Sequence, residues 1–106
     1  MNEAQEQQLI RESGRGAKAS AWLSSEITRD VFAVLEADTL EKWKASPIRD
    51  DEGQRILRLK WQVLQEMKRH VEDIAQTGKM ASQQLEHERS LVQKAGDAVR
   101  RFVRRA

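Results

Sequence analysis

A chain of 106 residues with a formal net charge of +2, 34% charged residues and no cysteine is at most one small domain with a modest core. Disulfides and thiolate metal sites are excluded, and no apolar run approaches the roughly 20 residues that cross a bilayer. One proline and five glycines in a background rich in Ala, Glu, Gln, Lys, Arg and Leu point to long helices with solvated faces, hence to an all-α, soluble protein.

Residues 1–16 read as a polar N-terminal arm. Asn2 is placed to cap a weak helix carrying only Leu9 and Ile10 as large apolar residues, and Gly14-Arg15-Gly16 suggests a kink, a short loop or a mobile segment. Met1–Ile10 lacks the apolar centre of a secretory signal. Residues 17–106 are expected to form a single domain. From Ala17 the apolar residues Leu23, Ile27, Val31, Val34 and Leu35 recur at three- and four-residue steps, with Trp22 and Phe32 widening their face. This spacing predicts a helix to about Ala45. Ser46-Pro47 ends it, because the residue before proline avoids helical dihedrals and proline has no N–H to donate. Asp50 or Asp51 then caps the next helix, with Glu52 in its first turn.

From Leu57 onward one residue in seven forms a line: Leu57, Leu64, Val71, Gly78, Leu85, Val92 and Val99. A second line follows three residues later through Lys60, Met67, Ile74, Ala81, Glu88, Ala95 and Phe102. These read as the two core positions of a heptad repeat. Folding back about Pro47 makes facing residue numbers sum to roughly 98, since the connection is short. Leu35 then meets Leu64, Ile27 meets Val71, Leu23 meets Ile74 or Ala75, and Ala19 and Ser20 meet Gly78. Trp43 and Trp61 close the turn end beside Ile56 and Leu57. The expected fold is an antiparallel helical hairpin with a long C-terminal helix. The alternative is a three-helix bundle, in which Thr77-Gly78-Lys79 ends a helix and the chain folds back.

In the hairpin, the stripe after Gly78 outruns its partner. Leu85, Glu88, Val92, Ala95, Val99, Phe102 and Val103 are therefore the candidate partner interface, because a long apolar stripe left in water marks a contact surface. Glu88 is the charged member: either it sets register or partner number, or the seam is wet at that point. Arg100, Arg101, Arg104 and Arg105 form a basic end with no acid after Asp97. They either complement the helix dipole or contact nucleic acid or another anionic surface.

No chemistry accompanies the repeat. The Asp50-Asp51-Glu52 cluster is explained by capping, and His70 and His87 have no third converging ligand for a metal. Thr77-Gly78-Lys79 lacks both the upstream glycine and the following Ser or Thr of a phosphate-binding loop. An enzyme is not expected, nor is a cofactor.

The segment Lys42-Trp43-Lys44-Ala45-Ser46-Pro47, the stretch Asp50–Arg55, Trp61–Lys68 and the later Ile74–Ala81 with its Gly78-Lys79-Met80-Ala81 resemble small helical proteins of tailed bacteriophages. The resemblance covers about residues 17–85. It implies a structural or virion-assembly protein that works as a homo-oligomer or against other phage structural proteins, in the virion or the host cytoplasm. A small nucleic-acid-binding or host-modulating regulator using the basic C-terminus is the competing expectation.

Overall fold

The computed structural model describes residues 1–105. They form three helices, α1 (Glu3–Ser24), α2 (Glu26–Ala45) and α3 (Asp51–Arg105), and no strand occurs among the described residues. The protein is an all-α helical hairpin with a long C-terminal helix. α3 runs through Gly78 without interruption, so the break needed for a three-helix bundle is absent.

Asn2 and Gln5 begin α1 with reciprocal bonds. The Gln5 N–H donates to Asn2 Oδ1 at 2.8 Å and the Asn2 N–H to Gln5 Oε1 at 3.1 Å, so two of the N–H groups left free at a helix start are satisfied. The expected arm is thus ordered helix: α1 continues through Gly14 and Gly16. The interruption falls instead at Ser25, inside the helix expected over residues 17–45. Ser25 has φ −61° and ψ 130°, and its side chain makes no cap bond. Its N–H donates to Trp22 O at 3.2 Å and its carbonyl accepts from the Arg29 N–H at 3.0 Å. Two adjacent serines offer little to a helix interior and are at home at a helix start.

Ser46, extended at φ −70° and ψ 142°, ends α2 ahead of Pro47. Its hydroxyl and its N–H both donate to Trp43 O, at 2.7 and 3.2 Å. Asp50 makes the expected cap: the Gly53 N–H donates to its Oδ1 at 3.0 Å. The Asp50 N–H and Gln54 Nε2 both donate to Pro47 O at 3.0 Å, closing the turn.

The residues gather into two compact units, Lys18–Asp73 and Met1–Ala17 with Ile74–Ala106. In the first, Phe32 and Thr39 are the buried residues of α2, and Leu57, Trp61, Leu64, Lys68 and Val71 are half-buried along α3. Trp22 meets Phe32 edge-on, with ring centroids 5.6 Å apart. Lys68 lies over the Phe32 ring, 5.4 Å from its centroid, and pairs with Glu36. This arrangement corrects two expectations. Ile27, Val31 and Val34, assigned to the core face, are exposed because the phenylalanine ring and its two partners fill the seam. Lys60 and Met67 also lie outside, with Trp61 and Lys68 in their place. A contact between two helices covers one narrow stripe on each, so bringing Phe32 inward turns its flanking residues outward.

In the second unit α1 and α3 touch backbone to backbone. A Cβ on Gly16 would collide with Gly78 Cα and lie 3.2 Å from Ile74 O; one on Gly78 would lie 2.7 Å from Glu12 O. Gly78 therefore meets Gly16 rather than Ala19 or Ser20, because glycine opposite glycine permits the closest approach. Among the described residues no glycine has positive φ, so both glycines are required by space and not by conformation. Ser13 and Ser82 share a hydrogen bond at 2.5 Å, and Ala81 and Leu85 are buried.

Candidate interaction surfaces

Leu85 is 7% exposed and belongs to the intramolecular seam, which removes it from the candidate partner interface. Glu88 is half-buried. Beyond it the cover ends. Val92, Val99, Phe102 and Val103 are 72, 62, 75 and 65% exposed, and Ala95 is exposed with them. At 3.6 residues per turn Val92, Val99 and Val103 fall on one face of α3, with Ala95 and Phe102 along its edge. Leu91 is 48% exposed beside them; it lies outside both heptad lines and was not foreseen.

The basic end is partly engaged within its own helix. Arg100 Nη2 pairs with Asp97 Oδ1 at 3.0 Å, and its Nε donates to Gly96 O at 3.4 Å. Arg101 Nε donates to Asp97 O at 3.4 Å. Cations that reach back to carbonyls in the last turns complement the helix dipole. Arg104 and Arg105 are exposed in the final turn.

The hairpin unit carries a second surface. Ile27, Val31 and Val34 on α2 and Ile56, Leu59, Val63 and Met67 on α3 are between 45 and 76% exposed. Leu35, Asp38, Lys42, Ile56, Leu59, Lys60 and Val63 line a groove of about 470 Å³ between the two helices. By helical period Val31 and Ile27, four and eight residues before Leu35, Val34, four before Asp38, and Met67, four after Val63, fall towards the same side of their helices. The surplus was present in the sequence: α2 has more large apolar residues than one stripe holds, and Leu59 and Val63 belong to neither heptad line.

On the opposite side Trp43, expected to close the core, is 52% exposed. It lines an open groove of about 580 Å³ with Trp61, Leu40, Leu57, Arg55 and Arg58. His70 and His87 are exposed, and no cluster of three or more His, Asp or Glu suited to a metal occurs among the described residues. No described helix is long and apolar enough to cross a membrane. Comparison with protein-family models, with curated proteins and with solved structures finds no match to this chain.

Proposed function

We propose that this chain is a non-enzymatic assembly protein that associates with other protein chains through the C-terminal part of α3. The observation that carries this is the row Val92, Val99, Phe102 and Val103, each at least 62% exposed, directly following a segment in which Ala81 and Leu85 are buried. Fully burying one such side chain is worth about 1.5–3 kcal/mol, so covering four that are two-thirds exposed is worth roughly 4–8 kcal/mol. Association costs about 4–15 kcal/mol in lost freedom. The row suffices only against a surface that is itself apolar, and such a surface roughly doubles the gain. A like helix from a second copy, or an apolar helix of another assembly protein, meets that requirement. The resemblance of residues 17–85 to small phage proteins supports a structural component of a bacteriophage particle as the setting, testable by recovering the chain from purified virions.

Sedimentation of the full chain tests the association. Val92→Asp with Val99→Asp is expected to lower the assembled mass while leaving helical circular dichroism intact; an unchanged mass removes the proposal. Arg101→Glu with Arg105→Glu serves as the control. Those positions lie outside the apolar row, so the mass is expected to stay the same. Loss of assembly in that variant, relieved by added salt, would favour an electrostatic contact of the basic end.

A further inference from the structure

We infer that the open side of the hairpin, between α2 and α3, is a separate docking surface for the same side of a second copy of this chain, closing a four-helix bundle. The inference rests on the reading of the chain as an assembly protein but uses different residues. Within Lys18–Asp73, α2 offers the row Ile27, Val31 and Val34 at 76, 49 and 66% exposure. The antiparallel α3 offers Leu59, Val63 and Met67 at 49, 53 and 48%. Beside them lies the groove of about 470 Å³, lined by Leu35 on α2 and by Ile56, Leu59 and Val63 on α3.

Area, geometry and charge select the occupant. At about 25 cal/mol per Å², the worth of a buried aliphatic side chain corresponds to roughly 60–120 Å² each. These six side chains with Leu35 and Ile56, between 44 and 76% exposed, therefore hold roughly 250–500 Å² of free apolar area per copy. A stable dimer buries about 800 Å² per partner, of which somewhat over half is apolar, so this side supplies much of what one requires. A single foreign helix lying in the groove would cover the inner flank of each row and leave the outer flanks wet. A layer of two antiparallel helices at the same spacing covers both rows, and the chain itself presents such a layer. The charges lining the groove do not oppose self-contact: Asp38 and Lys42 are already paired at 2.9 Å, which leaves Lys60, whose long stem carries its ammonium to the rim. Exposed Asp30 lies beside the α2 row, outside the groove.

Sedimentation equilibrium of the full chain carrying Val34→Glu with Val63→Glu tests this. Both positions are exposed in the single chain, so helical circular dichroism is expected to be unchanged while one association step weakens by at least about a hundredfold. If the glutamates reduce helicity, Val34→Thr with Val63→Thr carries the same test with a smaller loss. Unchanged association in these variants overturns the inference and leaves the C-terminal row standing. The Val92→Asp, Val99→Asp variant separates the two surfaces, since it is expected to keep the step that Val34→Glu with Val63→Glu removes. A wild-type chain that remains monomeric at about 100 µM overturns the second copy as the occupant.

Discussion

A single methyl group distinguishes the two glycines of α1. Nothing lies within 4 Å of a Cβ built on Gly14, whereas one on Gly16 meets the backbone of α3 at Gly78 and Ile74. Gly14→Ala is therefore expected to stabilise the chain by about 0.5–1 kcal/mol, because a glycine inside a helix forfeits that much to chain entropy. Gly16→Ala is expected to destabilise it by about 1–3 kcal/mol, since rigid backbone has to move to make room. Urea unfolding followed by circular dichroism, at one fixed protein concentration, measures both, and the same sign for the two substitutions would contradict the contact. The motif Gly-Arg-Gly was visible in the sequence as an interruption, and as such it was misread. Which glycine faces another helix depends on a residue 62 positions away in the chain, and no local pattern encodes it.

The ends of the helices show how far local chemistry decides structure. Asp50 receives the Gly53 N–H at 3.0 Å, while Ser25 stands at the start of α2 with no side-chain cap bond. Asp50→Ala is expected to cost about 1 kcal/mol, as loss of a formed cap does, and Ser25→Ala less than about 0.5 kcal/mol. Denaturant midpoints of the two variants compare them directly, and equal losses would mean that Ser25 holds α2 in some other way. The turn at Pro47, the cap at Asp50 and the cap at Asn2 were legible because each follows from the residues within a turn of it. The continuity of α3 through Gly78 was legible only from the heptad phase running across it, since Thr77-Gly78-Lys79 by itself also reads as a helix end. The break at Ser25 and the face that α2 turns inward were not. The inward face follows from the Trp22–Phe32 contact and from Lys68 above the same ring, a choice among several apolar residues that only three-dimensional packing makes. For the C-terminal row the heptad line identified Val92, Val99 and Phe102 correctly as α3 residues on one side. It included Leu85 as well, because periodicity alone does not mark where α1 stops covering α3.

At the level of the molecule, Ala19, Phe32, Ala81 and Leu85 are the only buried apolar side chains among the described residues, and no large side chain there is fully buried. The proposed association between chains would add apolar contact to a core this thin. Thermal unfolding should accordingly depend on concentration, with the midpoint rising by a few degrees for each tenfold increase in protein, as mass action requires when assembly stabilises the fold. Scanning calorimetry over two decades of concentration checks this, and a constant midpoint would place all of the stability within one chain. The Gly16–Gly78 contact has a further consequence, for how the chain tolerates change. Where backbones touch there is no larger residue to try, so both positions should reject every replacement in a saturation library, including alanine and serine. Ile27, Val34 and Val63, each more than half exposed, should accept polar residues freely in a selection for folding. Under a selection for assembly they should become restrictive, and the difference between the two maps would outline the contacts between copies.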